Sequence, residues 1–262
     1  MSTELHGATF WDGISDYEEK VHPFTSLFAE SAWRQAALPS GARVLDIAAG
    51  TGALAIIAAR AGAQVLATDF SSAMVNSILS YRLPNIEARV MDGEALDLPD
   101  ASFDAAFSVF GVMLFTDWRA GLAEMARVVR PGGIASVATW KDPNGAAANI
   151  LITGLCAALF PEIRPVLPFG GVEELRHPDR LDAALVAAGF TDVSIVEATH
   201  DFPIDTAAVA DPDLLFQYCP IWQQLDARQR GVILTSIEAA LSVRGGVVPV
   251  PSPALIATAR RA

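Results

Sequence analysis

One stretch, Val44-Leu45-Asp46-Ile47-Ala48-Ala49-Gly50-Thr51-Gly52-Ala53-Leu54-Ala55, constrains the fold of this chain more than any other. An apolar run ends in an acid, a loop of small residues follows, and an alanine-rich helical pattern begins. The reading is strand, tight turn, helix. Glycines at 50 and 52 allow positive φ and let a ligand approach the backbone, while unpaired N–H groups at the start of the helix point into the same space. A nucleotide-like ligand follows. Gly50-x-Gly52-x-x-Ala55 also satisfies the dinucleotide pattern G-x-G-x-x-G/A, so the glycines do not separate a nicotinamide cofactor from another adenosine ligand.

The acids separate them. Asp46 ends the first strand, Asp69 ends the second (Gln64–Asp69), and Asp92 ends the third (Ile86–Met91). No Lys or Arg lies within Asp46–Gly52 or Asp69–Ser72. A pyrophosphate would meet carboxylates there with no cation to offset them, whereas a ligand carrying an ammonium and a sulfonium would be attracted. S-adenosylmethionine (SAM) carries both. Asp69 is placed to accept from both ribose hydroxyls, and Asp92 from the exocyclic amine of adenine.

The segment resembles the class I SAM-dependent methyltransferases. The run Phe103-Asp104 … Phe110-Gly111-Val112-Met113 … Glu124-Met125-Ala126-Arg127-Val128-Val129-Arg130-Pro131-Gly132-Gly133 is similar to the bacterial small-molecule branch related to the ubiquinone/menaquinone C-methyltransferases, and the likeness spans roughly residues 10–262. The family's D-x-G-x-G-x-G appears as Asp46-x-Ala48-x-Gly50-x-Gly52, with Ala48 at the first glycine. That departure is mild if the local φ is negative, and it tightens the space beside the methionine end of the ligand. The resemblance implies a Rossmann-like, doubly wound α/β fold. Its seven-stranded, mostly parallel sheet has an antiparallel last strand, with a helical N-terminal lid and a helical insertion before that strand. It implies cofactor contacts at Asp46, Ala48, Gly50, Thr51, Gly52, Asp69, Phe70, Met74, Asp92, Gly93, Glu94 and Ser108. Trp11, Tyr17, Phe110 and Met113 fall on the acceptor side.

The 262 residues, 52% of them hydrophobic, suffice for one substantial core, and nothing marks a linker. The expectation is a single domain over 1–262: lid helices at 1–40, a SAM-binding core at 41–200 and 247–262, and a helical cap at 206–244. A net charge of −12 disfavours nucleic acid and anionic membrane surfaces, which select Lys and Arg. Cys156 and Cys219 stand far apart, which suggests neither a disulfide framework nor a zinc site. No basic leader with an apolar stretch opens the chain and no long apolar window occurs, so a cytoplasmic protein without stable membrane association is expected, as monomer or homodimer.

Along the chain, Phe10, Trp11, Tyr17, Phe24, Phe28 and Trp33 crowd the first forty residues. Pro23 opens a helix running to about Ala37. The resemblance makes Trp11, Tyr17 and His22 lid residues. Packing of the aromatics onto the sheet is the alternative for Trp11 and Tyr17, and the preferred reading for Trp33. Helix Thr51–Ala61 ends at Gly62, Ser71 or Ser72 caps the next helix, and Asp117 caps a helix whose Trp118, Leu122, Met125 and Val129 face the core. Pro131-Gly132-Gly133 stops that helix before strand five, Ile134–Trp140. The loop after strand four, Phe110–Phe115, is apolar and lies where doubly wound sheets bind ligands. Helical segments over 206–244 start at Asp211-Pro212 and Asp226, strand six is Val193–Ala198, and the last strand is Ala254–Ala259.

Methyl transfer from a sulfonium is an in-line displacement, so alignment and exclusion of water supply most of the rate. No nucleophilic triad is required. Of His6, His22, His177 and His200, only His22, with Tyr17, is a candidate base. No Asn/Asp-Pro-Pro-aromatic run follows strand four, which disfavours methylation of DNA bases. The expected function is transfer of a methyl group from SAM to a small apolar or aromatic molecule at oxygen, nitrogen or carbon, with S-adenosylhomocysteine as product and no metal. Two alternatives stand beside it: a SAM-binding protein that catalyses another reaction or regulates, and a nicotinamide-dependent oxidoreductase.

Overall fold

The computed structural model describes residues 17–164, 169–217 and 219–262. Seven strands form one sheet: β1 Arg43–Ile47, β2 Gln64–Asp69, β3 Ile86–Val90, β4 Phe103–Val109, β5 Val129–Trp140, β6 Phe190–Asp205 and β7 Val247–Arg261. Their order is 3-2-1-4-5-7-6 with β7 antiparallel. The parallel register runs Val44↔Val65, Val44↔Ala105 and Val65↔Ile86 across β1, β2, β3 and β4. Past their exposed first residues, β1 and β2 are buried throughout, as strands covered on both faces require. Chain order reverses between β1 and β4, and this is where such sheets open a crevice at the strands' carboxyl ends.

The described residues fall into two compact units, each with its own core. The first takes in Met1–Thr139, Pro168–Ala198 and Ala254–Ala262 as far as they are described. Its helices begin with α1 (Tyr17–Lys20) and α2 (His22–Ala36). Phe24 and Phe28 of α2 meet edge to face with ring centroids 5.4 Å apart, and Trp33 packs on Phe107 of β4 at 5.9 Å, the core role expected of it. Helix α3 (Ala53–Arg60) buries Leu54, Ala55, Ile56, Ala58 and Ala59. It stops at Gly62, where φ is +92° and a Cβ would lie 2.7 Å from Ser40 Oγ. Ser71 caps α4 (Ser72–Ser80) by accepting from Met74 N–H, and Asp117 caps α5 (Trp118–Val128) by accepting from Arg119 and Ala120 N–H.

Pro131-Gly132-Gly133 does not separate helix from strand as the sequence suggests. Strand β5 starts at Val129, and its register with β4 steps from Phe103↔Val129 to Ala105↔Ile134, so the Pro-Gly-Gly run lies in an irregular stretch of the strand. Gly132 takes φ +75° there.

The second unit takes in Trp140–Leu167 and Thr199–Pro253 as far as they are described. Helix α6 (Ala147–Leu159) and the helices Thr206–Val209, Pro212–Leu215, Pro220–Gln224 and Ala227–Val243 supply most of it. Its core gathers Ile152, Cys156, Phe216, Trp222, Ile233 and Ile237, with the Phe216 and Trp222 rings 4.8 Å apart. Asp226 and Gln229 form a reciprocal capping box on the last helix. No helix among the described residues is long and apolar enough to cross a membrane.

Candidate active site

A cavity of about 310 Å³ opens at the carboxyl ends of β1, β2 and β4, walled by the turns that follow these strands and β3. The β1–α3 turn contributes Asp46, Ala48, Gly50 and Thr51; the segment after β2 contributes Asp69, Phe70 and Met74; the segment after β3 contributes Asp92, Gly93 and Glu94. Ten of the cofactor positions named from the sequence therefore come together on one wall. The remaining two do not line the cavity. Gly52 caps α3 at φ +89° with Ile78 Cγ1 3.0 Å from where its Cβ would be. Ser108 is fully buried, and its hydroxyl accepts from Val112 N–H at 2.9 Å, which holds the turn after β4.

The acids of this wall are fastened by backbone donors. Asp69 Oδ2 accepts from Gly50 N–H at 2.8 Å and Oδ1 from Ser71 N–H at 3.0 Å, so one carboxylate clamps the β1–α3 turn to the end of β2. Asp92 accepts from Glu94 N–H at 2.9 Å, and Glu94 from Thr116 N–H at 2.7 Å, which ties the segment after β3 to the loop after β4. Asp46 is 1% exposed and accepts from Ala55 N–H at 3.0 Å. Burial pushes its carboxyl up to about 8, with nearby Asp69 adding to the rise and the Ala55 bond opposing it. No Lys or Arg lines the cavity among the described residues. A cationic ligand would hold Asp46 ionised, and the donor set fits the ammonium and sulfonium of SAM on that ground.

Ala48 corrects the mild view of the missing glycine, because its φ is +54°. A methyl group in the left-handed region costs about 1 kcal/mol, so the turn carries local strain. Gly111 answers it across the cavity floor: a Cβ there would lie 2.6 Å from Ala48 Cβ and 2.8 Å from Ser108 Oγ.

The opposite wall comes from the loop after β4. Phe110, at φ +61°, is 7% exposed, and its ring meets Phe28 edge to face at 5.2 Å. Leu114 and Phe115 continue the apolar surface, while Met113 is buried behind it with its backbone against Gly171. The sequence reading puts Phe115 in this apolar loop at the crevice without singling it out as a site residue. Its ring fills a slot between Gly93 and Gly121, at both of which a Cβ would come within 2.5 Å of the ring carbons. The available signal was Gly121, an isolated glycine inside a helical pattern, which marks a close approach.

Of the two candidate bases, Tyr17 starts α1 with its side chain outside the described residues, and His22 starts α2. Trp11 and His6 lie outside the described residues. His22 Nδ1 is 2.8 Å from Thr51 Oγ1, and burial lowers the imidazole pKa, so the ring is neutral near pH 7. His177 Nε2 is 3.6 Å from Glu173 Oε1, and His177 does not line the cavity.

A model of the methyltransferase domain matches residues 44–133, the stretch from β1 through the irregular start of β5. A demethylmenaquinone methyltransferase of Corynebacterium efficiens is 33% identical over 165 residues, covering 61% of this chain and 70% of the relative. The chain is a class I SAM-dependent methyltransferase. A demethylmenaquinone methyltransferase of Mycolicibacterium gilvum is 35% identical over 158 residues, covering 58% of this methyltransferase and 68% of its own length. Among solved structures, the YcgJ protein of Bacillus subtilis superposes with a TM-score of 0.56 at 19% identity, covering 92% of this chain and 99% of its own. The [4+2]-cyclase SpnF does so with 0.52 at 20%, covering 90% and 81%. At these identities the likeness concerns the fold. The methyltransferase acts on a small molecule with SAM as donor, and the nicotinamide alternative is set aside. The physical reason is the one visible at the first turn: carboxylates with no cation to receive a pyrophosphate.

Proposed function

We propose that this methyltransferase transfers the methyl group of SAM to an apolar or aromatic acceptor held against Phe110, Leu114 and Phe115. The observation that carries the reading is the division of the cavity, with fastened acids on the wall after β1, β2 and β3 and an apolar wall after β4. On the first wall, Asp69 receives the ribose hydroxyls, Asp92 the adenine amine, and Asp46 the ammonium. Phe70 and Met74 pack beside the base. SAM supplies an electrophilic methyl group on a sulfonium. The chain's own part is to fix the line of approach and keep water out, which the second wall does through its dry surface. An acceptor that ionises by itself, such as a reduced quinone or a phenol, needs no strong base from the protein.

The curated relatives are named for demethylmenaquinone, which makes a reduced naphthoquinone the first acceptor to test. Purified protein incubated with SAM and reduced naphthoquinones, phenols or amines is expected to release S-adenosylhomocysteine with one acceptor class, and mass spectrometry locates the added methyl. SAM binding with no methylated product in any class contradicts the reading. Among the described residues no group of three or more His, Cys, Asp and Glu is disposed to hold a metal, so turnover is expected to survive EDTA.

A further inference from the structure

The acids on the cofactor wall are held by backbone N–H groups, but one hydroxyl there is held by a side chain from another element. Thr51 is 5% exposed, lines the cavity, and immediately precedes Gly52, the residue that caps α3. The amino-acid end of SAM belongs beside it, since the positive end of the α3 dipole draws a carboxylate and Asp46 draws an ammonium. His22 Nδ1 stands 2.8 Å from Thr51 Oγ1.

We propose that His22 is a positioning residue that orients the Thr51 hydroxyl toward the amino-acid end of SAM. A threonine hydroxyl is a rotor with one donor and two acceptor positions. The imidazole bond occupies one of them and gives the others a set direction. The ring is itself held in place. It stacks on Tyr81 of the α4 C-terminus at 6.2 Å with 17° between the planes, and the Tyr81 hydroxyl donates to Glu18 at 2.8 Å. Ser77 of α4 donates to the other oxygen of Glu18. The charged groups acting on His22 are Glu18 of α1 and Arg60 of α3. Its engagement with Thr51 gives the histidine a use other than proton abstraction.

The inference rests on the cavity being the SAM site, and the test separates the two. SAM affinity is measured by calorimetry, and KM and kcat by product release, for wild type, His22→Phe, His22→Asn, Thr51→Val and the double variant His22→Phe/Thr51→Val. Phenylalanine keeps a ring on Tyr81 and removes the nitrogen, while asparagine returns a polar atom near Nδ1. His22→Phe is expected to raise Kd and KM for SAM about tenfold, the size of one lost hydrogen bond to a charged ligand's anchor, with kcat at saturating SAM within about twofold. His22→Asn recovers most of the affinity, Thr51→Val loses as much as His22→Phe, and the double variant loses no more than Thr51→Val alone. Wild-type affinity in His22→Phe, or losses that add in the double variant, overturns the inference. Should His22→Phe fail to fold, wild-type affinity in Thr51→Val overturns it equally. A wild-type protein that binds no SAM refutes the site itself.

Discussion

Two turns meet at the cavity and solve the same steric problem with opposite chemistry. The turn after β1 and the loop after β4 each place a non-glycine residue in the left-handed region, Ala48 at φ +54° and Phe110 at +61°. They touch where Gly111 faces Ala48. The first is flanked by buried acids that accept from backbone N–H groups; the second is aromatic, with its rings packed on Phe28 and in the Gly93–Gly121 slot. A wall of acids bonded to N–H groups suits a polar, cationic ligand. Rings packed against glycines present an apolar face.

The largest break in this comparison is expected at Asp69. Asp69→Ala removes the clamp on Gly50 and Ser71 N–H together with the proposed ribose acceptor, and SAM affinity should fall by about 1.5–3 kcal/mol. Calorimetric titration measures it, and wild-type affinity would take the ribose role away from Asp69. Gly111→Ala strikes the contact between the turns, since neither Ala48 Cβ nor Ser108 Oγ is the far end of a flexible chain. Overpacking of this kind costs about 1–3 kcal/mol of stability, read as a lower urea midpoint at unchanged slope. An unshifted midpoint would mean that the turns are not in hard contact.

Asp46 sharpens the comparison through pH. Its folded-state pKa lies above the unfolded value, so its contribution to the stability of the ligand-free protein is full below about 4 and is lost as pH rises toward 8. For SAM the sign reverses, because the cationic ligand prefers the ionised acid. Affinity should rise from pH 6 to pH 8 and binding should release protons, detectable as heats that change with buffer ionisation enthalpy. Flat affinity across that range would place the cation away from Asp46. The smallest effect belongs to Ala48→Gly, which relieves the left-handed methyl and should change stability by no more than about 1 kcal/mol. A large loss would show that the methyl packs on Gly111 to a degree the strain does not outweigh.

The acid-flanked turn was readable in the sequence because charge and glycine spacing are local. So were the caps at Ser71, Asp117 and Asp226 and the parallel order of the first strands. The aromatic loop was only half readable, since the pairing of Phe115 with Gly93 and Gly121 joins residues far apart in the chain. The sign of φ at Ala48 is set by the turn's tertiary setting, and no neighbour in sequence announces it. The length of β7 was hidden by Pro249, Pro251 and Pro253, which ordinarily argue against a strand. These alternate residues lack donors on a single edge, the one where the Pro253 carbonyl accepts from Lys141 N–H, and β5 ends at Trp140. The missing donors cost little where no strand remains to use them.

The central claim is the division of labour between the two turns, and one variant tests it most directly. Phe110→Ala, measured for SAM affinity by calorimetry and for turnover by release of S-adenosylhomocysteine, should keep SAM affinity within about twofold while turnover falls about tenfold or more, as expected when an acceptor-side wall is removed. Loss of SAM affinity as large as the loss of turnover would place Phe110 on the cofactor wall and contradict the division.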